Sequence, residues 1–225
     1  TLKDDDFKTN GIGNRNNVDN AAVMIYQSMS GDADEGTSSF TMNGGSLTNA
    51  NGDIFFVNNT ATTIDLTAAE IINNGGGVFL RAAAAGWGSE GSNGGHVNMT
   101  ASDQEINGDM IVDEVSELNL YLKEASTFTG AINKDGSAGD VYVELKDGAT
   151  WKLTGDSYIT SLTCDANSID LNGHKLSEVL KVAVIDKVDA DAKREEVLAL
   201  AQAAVAADQG KGTLSNFYLT GALAP

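Results

Sequence analysis

The sequence predicts an all-β solenoid, a stack of short parallel strands wound three to a coil, and two internal registers and one punctuation pattern predict it. At an offset of 24 residues, Phe40, Met42, Leu47, Asn49, Ile54 and Phe55 are answered by Ile64, Leu66, Ile71, Asn73, Val78 and Phe79, each matched in character. At an offset of 23, Leu118, Leu120, Leu122 and Phe128 are answered by Val141, Val143, Leu145 and Trp151. Within each unit apolar residues alternate, as in Val141-Tyr142-Val143-Glu144-Leu145, and Gly, Asn and Asp groups separate the runs. A fixed period combined with strand alternation marks a repeat architecture. A β-sandwich also uses short strands but requires no constant period, and it stands as the second fold.

Taken in order, residues 1–36 form an N-terminal capping region, and the series from Phe40 to Phe79 supplies the first clear coils. Val97-Asn98-Met99 and Ile106 to Ile111 supply an intervening coil. The series from Leu118 to Trp151 follows, then Ile159 to Leu162 and Ile169-Asp170-Leu171, for about six or seven coils in all. Inward columns stack like on like, Leu47 over Ile71, Ile54 over Val78 and Leu118 over Val141, burying aliphatic surface. Asn49 and Asn73 are expected to form an amide ladder along the stack.

Residues 1–178 therefore read as the solenoid, and 179–225 depart from it. A strand from Val179 to Val184 precedes a helix with Asp191 at its N-cap, apolar Val197, Leu198, Ala201 and Val205 at helical spacing, and Gly210 as its stop. A further strand runs from Leu214 to Leu219. This small C-terminal α/β element serves as a cap over an open sheet edge, or as an assembly element through which copies self-associate.

The 225 residues carry 32 acids against 14 bases, a formal charge of −18. Such a chain repels phosphate backbones and anionic headgroups, so no nucleic-acid partner is expected. No run approaches the ~20 apolar residues of a spanning helix, so no membrane insertion is expected either. The start, Thr1-Leu2-Lys3, lacks an initiator Met and a signal pattern, as a processed or excised fragment of a secreted parent would. The single cysteine, Cys164, closes no intramolecular disulfide and reads as a small buried hydrophobe in a strand.

No catalytic constellation emerges. His96 and His174 read as turn residues without metal-ligand spacing, and no nucleophile-elbow or Cys-His framework is present. The glycine runs Gly75-Gly76-Gly77 and Gly94-Gly95 read as coil corners and make no phosphate loop. No cofactor is expected. Calcium is the one ion the acids leave room for, with Asp32, Asp34 and Glu35 as its candidate ligands, although no cluster ends in the bidentate Glu of a hand-type loop. Paired acids such as Asp109 and Asp113 are placed to fall on neighbouring turns.

The insertion from Ala82 to Gly95 lengthens one coil and carries Trp87, one of two tryptophans. As a flexible loop it would present Trp87 beside Arg81 to stack on a sugar ring and hydrogen-bond its hydroxyls. Folded back, Trp87 would be a lid over apolar surface, the more ordinary use of such a side chain. Trp151 aligns with Phe128 and reads as repeat packing.

The strings Ala131-Ile132-Asn133, Val141 to Leu145, Trp151-Lys152-Leu153-Thr154-Gly155-Asp156-Ser157-Tyr158-Ile159-Thr160-Ser161-Leu162 and Asn172-Gly173-His174 resemble the large secreted adhesin-like β-helix proteins of anaerobic bacteria. Met24 to Asp32 is similar to the same group. The resemblance spans roughly residues 21–178 and rests on the recurring string. It implies a right-handed parallel β-helix exported to the cell surface, with roles in adhesion or carbohydrate binding and no assigned active site.

The expected function is thus a non-catalytic extracellular surface scaffold or adhesin-like module whose partner is a glycan or other cell-surface ligand. Two alternatives remain. A polysaccharide lyase or glycoside hydrolase on the same fold needs paired carboxylates or charge neutralisation, and Arg15 and Arg81 are the only arginines before residue 179. A self-assembling filament subunit would use Thr213 to Leu219 against another chain's edge.

Overall fold

The computed structural model describes residues 2–3, 6–9, 21–27, 38–136 and 139–179, and these residues are all β, without a helix. The strands are β1 (Leu2–Lys3), β2 (Asp6–Thr9) and β3 (Ala21–Tyr26), then β4 (Ser38–Asn43), β5 (Ser46–Asn49) and β6 (Asp53–Asn58), then β7 (Thr60–Thr67), β8 (Glu70–Asn73) and β9 (Leu80–Ala82). They continue with β10 (Gly95–Ser102), β11 (Glu105–Asn107), β12 (Met110–Val112), β13 (Glu117–Lys123), β14 (Thr127–Thr129), β15 (Asp140–Leu145), β16 (Thr150–Lys152) and β17 (Ser157–Ile159). β18 (Ser161–Cys164), β19 (Ile169–Asp170) and β20 (Leu176–Glu178) complete the order.

Several parallel sheets result. One takes β1-β4-β7-β10-β13-β15-β18, a second group comprises β2-β5-β8 and β11-β14-β16-β19, and a third comprises β3-β6-β9-β12 and β17-β20. In the third group Ile132 occupies the place of a missing strand, bridging Met110 and accepting the Tyr158 N–H at 2.9 Å. Every strand pairing among the described residues is parallel, which sets aside the antiparallel sandwich.

The registers expected from the two offsets are met at Phe40 with Ile64, Met42 with Leu66, Leu47 with Ile71 and Asn49 with Asn73. They are met again at Leu118 with Val141, Leu120 with Val143, Leu122 with Leu145 and Phe128 with Trp151. Two are not met: Phe55 pairs with Leu80 and not with Phe79, although the two phenylalanine rings still meet edge to face at 5.7 Å, and Val78 is half-buried outside any strand, so it stacks no inward column on the buried Ile54. The extra residue falls between Gly76, which still bridges Gly52, and Leu80.

Alternation explains the core. In β13 the alternate residues Leu118, Leu120 and Leu122 are fully buried while Asn119 and Tyr121 are only half covered. Buried side chains from all three sheet groups join one apolar cluster, among them Met42, Leu47, Phe55, Met99, Ile106, Val112, Leu145 and Trp151. Each full-sized aliphatic side chain so placed contributes about 1.5–3 kcal/mol. Trp151 stacks on Phe128 at 5.4 Å and donates its Nε1–H to the Gly130 carbonyl at 2.9 Å, which satisfies the one polar atom it buries.

Several expectations are corrected. Cys164 is exposed, because it ends β18 at a corner where Asp165, Ala166 and Asn167 are exposed too. Partial burial and the Asp165 carboxylate hold its thiol above its ordinary pKa, which disfavours the thiolate. His96 lies in β10 on its outward face, and only His174 sits in a turn. Asn49 and Asn73 stand in register, yet their amide nitrogens donate within their own corners, to Asn51 and Asp53 and to Gly77 respectively, in place of a ladder. The candidate calcium ligands Asp32, Asp34 and Glu35, the residues 10–20, and the C-terminal strand-helix-strand beyond Val179 lie outside the described residues.

Candidate binding surface

The outward side of the third sheet group holds the residues singled out from the sequence. Phe56 of β6 points away from the main core, in register with Met24 on one side and Arg81 on the other. An outward phenylalanine would be exposed on a bare sheet, but Phe56 is only 3% exposed, because a second small apolar cluster closes over it. Ala21, Met24, Ala85 and Trp87 form that cluster. Trp87 further stacks on Tyr26, ring centroids 4.2 Å apart and planes 21° apart.

The insertion is folded back, with Trp87 as a cover over apolar surface. Three polar devices pin it. Asn93, 5% exposed, donates its Nδ2 hydrogens to the carbonyls of Ala85 at 3.0 Å and Trp87 at 2.9 Å. Asn58, fully buried at the end of β6, donates to Ala83 O at 2.9 Å and Asn93 O at 2.8 Å. The Asp113 carboxylate accepts the Ala84 N–H at 2.6 Å from below. Buried amides used in this way fold a loop without strand pairing.

Arg81 has a structural partner. Its Nε donates to Asp53 Oδ2 at 2.6 Å, and Asp53 Oδ1 also accepts the Val78 N–H at 2.9 Å. The pair is largely buried, the side chains 23% and 3% exposed, so removal of Arg81 would strand a buried carboxylate. Arg81 and Trp87 are thus brought to one face, both flanking Phe56, the arginine through an ion pair and the tryptophan through a stack that leaves Tyr26 47% exposed.

Beside this cover lies an open groove of about 680 Å³, its walls formed by the loop at Ala84, Ala85 and Gly88 and by the turn after β12 at Asp113, Glu114 and Val115. Asp113 also accepts from Ser116 Oγ at 2.6 Å and from Val115 N–H at 3.3 Å, so one carboxylate ties the turn to the loop. Asp109 does not join it. Burial pushes the Asp109 carboxyl up, but the Lys134 ammonium at 2.6 Å, the Ala131 N–H and the Thr154 hydroxyl outweigh it and hold the carboxyl below its ordinary value. Both acids bolt neighbouring turns together. Among the described residues no three His, Cys, Asp or Glu side chains gather as a metal-ligand set.

Sequence reasoning found the loop and its aromatic residue but missed Tyr26, Asn58, Asn93 and the groove. Only the glycine-rich run at 91–95, with Asn93 in its middle, marked the place where the loop closes. No family model, curated protein or solved structure matches the chain.

Proposed function

We propose that the chain is a right-handed parallel β-helix with three strands per coil, similar in kind to secreted adhesin-like proteins, and serves as a non-catalytic extracellular scaffold that presents a carbohydrate-binding patch at the cell surface. The observation that carries this reading is the rotation of strands. The chain visits the three sheet groups in turn, pairs most strands in parallel with their counterparts one round later, β8 and β12 excepted, and packs all three groups on one apolar core. Repetition of that kind makes a stiff body whose outward residues recur at ~4.8 Å along its length.

The Tyr26–Trp87 pair supports a glycan as the partner, because an ordered, half-open aromatic surface offers a flat face to the C–H side of a sugar ring. The acids with the most elaborate surroundings, Asp53, Asp109 and Asp113, are each engaged in holding turns together, which supports a display role over acid-base chemistry.

A glycan array read with the full chain, followed by reducing-end and unsaturated-product assays on every glycan bound, tests the reading. Binding without turnover, weakened when Tyr26 is changed to Ala, is the expected result. Release of product from a bound glycan would replace the scaffold by a lyase or hydrolase on the same fold.

A further inference from the structure

Asn-Gly is the dipeptide in which a backbone nitrogen, unhindered by any side chain on its own residue, follows a carboxamide on which it can close. It occurs seven times in the sequence, and the fold treats the copies unequally. Ring closure needs a glycine N–H that no acceptor holds, a carboxamide that solvent reaches, and backbone free to bend. Asn10 lies outside the described residues. Among the described copies, Gly44 donates its N–H to Thr67 O at 2.8 Å, Gly75 to Asn73 Oδ1 at 3.0 Å and Gly108 to Thr129 O at 3.0 Å. Asn93 is 5% exposed, and its amide nitrogen donates to the Ala85 and Trp87 carbonyls. Asn51 is exposed, but Asn49 donates to the carbonyls of Asn51 at 2.8 Å and Gly52 at 3.3 Å. A Cβ on Gly75 would lie 2.4 Å from Gly52 N, so the backbone of the next coil sits against that nitrogen.

Asn172-Gly173 differs from all of these. Both residues are exposed, at φ 48° and 83°, and form the centre of a left-handed turn closed by the His174 N–H on Leu171 O at 2.8 Å. Within that turn the Gly173 N–H has no acceptor among the described residues, and a Cβ on Gly173 would meet nothing within 4 Å. A single bond holds the carboxamide, from Asn172 Nδ2 to Leu153 O at 3.0 Å. The turn lies between β19 and β20, at the end of the described stack, where opening meets the fewest neighbours.

We propose that Asn172 is a site of spontaneous covalent modification, at which the chain converts its own asparagine to aspartate and isoaspartate. Gly173 N bonds to Asn172 Cγ, the Cγ–Nδ2 bond breaks, and the amide nitrogen leaves as ammonia with the proton that Gly173 gives up, closing a cyclic imide. Water then adds to one imide carbonyl. Opening at Cγ leaves aspartate, and opening at the backbone carbonyl leaves isoaspartate, with the chain running through the former side chain; no electrons are exchanged. Either product replaces a donor by an acceptor-only carboxylate facing Leu153 O, so the turn loses its tie to the coil before it, where Leu153 is fully buried. The modification thus loosens β19 and β20, and it stands independently of the carbohydrate-binding reading.

Incubation of the full chain at mildly alkaline pH in water enriched in heavy oxygen, followed by peptide mapping in a mass spectrometer, tests the assignment. Heavy oxygen enters only where an imide has opened, and labelling by an isoaspartyl methyltransferase marks the isoaspartate. The Asn172 peptide is expected to take up heavy oxygen at least about tenfold faster than the peptides of Asn43, Asn51, Asn74, Asn93 and Asn107. In unfolding urea all of these peptides are expected to react at similar rates. Equal rates in the folded chain, a faster rate at any of the other five, or no uptake at Asn172 overturns the proposal. A ranking that persists in urea also overturns it, by tracing the difference to local sequence and not to the fold. The variant Asn172→Asp, which carries one product from the outset, is expected to speed hydrogen exchange at the amides of β19 and β20 by about tenfold and to leave β10 unchanged. Exchange at β19 and β20 equal to that of the native chain would overturn the loosening.

Discussion

Gln104 performs with one side chain what backbone pairing does elsewhere. β8 and β11 occupy successive places in the second sheet group but share no ladder, and between them the Gln104 Oε1 accepts the Ala69 N–H at 2.9 Å while its Nε2 donates to Ala69 O at 2.7 Å and to Glu105 O at 2.8 Å. The residue is 2% exposed, so water does not reach these groups. Gln104→Ala leaves a buried donor and acceptor unpaired, and urea unfolding is expected to show a loss of about 2–4 kcal/mol; a change under about 0.5 kcal/mol would mean that water fills the gap. Asp109 tests the same logic with charge. An unfolded aspartate titrates near about 3.9, and the folded carboxyl, held by Lys134 against the cost of burial, titrates lower. The unfolded chain then takes up its proton first, so the contribution of Asp109 is full above about pH 4 and is lost as pH falls through the folded value. The stability difference between the native chain and Asp109→Asn, measured by urea at neutral and acid pH, is expected to shrink on the acid side. A difference constant across that window would assign the effect to hydrogen bonding alone.

The repeating element is as much corner as strand. Each long strand of the first sheet ends in a left-handed residue: Gly44 after β4 at φ 68°, Ala68 after β7 at 49°, Asp103 after β10 at 48°, Glu124 after β13 at 52° and Asp147 beyond β15 at 54°. An L-residue held there costs about 1–2 kcal/mol relative to glycine. Ala68 is exposed and keeps its N–H on Ser102 O at 3.3 Å whatever its side chain, so Ala68→Gly removes the strain and loses no packing. After allowance for the freer unfolded chain, thermal or urea unfolding is expected to show a gain of about 0.5–1 kcal/mol, and a lower midpoint would mean that the corner is not strained. These corners are not legible in the sequence, because Ala, Asp and Glu share no signature at a positive φ. The strands are legible, since alternation states directly which side chain faces the core. The glycines mislead in part: a Cβ on Gly94 would collide with the Val115 carbonyl, so this glycine answers a close approach of two backbones and not a turn.

At the scale of the whole molecule, order was legible and closure was not. The offsets of 24 and 23 give the pairing partner of most inward residues, because a parallel stack repeats whatever lies beneath it. What interrupts the stack leaves weaker marks: the slip at Phe55, the gap spanned by Gln104, and Ile132 standing where a strand is missing each depend on contacts far apart in sequence. Such a body draws its stability from interfaces between neighbours, and opening costs most where a strand is paired along its length on both sides. β10 is that case, pairing with β7 from Gly95 to Ser102 and with β13 from His96 to Ser102, with Val97, Met99 and Ala101 buried. β18 pairs with β15 over four residues, and Ser161, Thr163 and Cys164 are exposed. Hydrogen exchange is expected to be slowest at the amides of β10 and β13 and faster at β18, by about tenfold for each 1.4 kcal/mol by which the end opens more easily. Equal protection from β4 to β18 would show one all-or-none unit, in which the ends unfold only with the centre and the nearest-neighbour account of this chain does not hold.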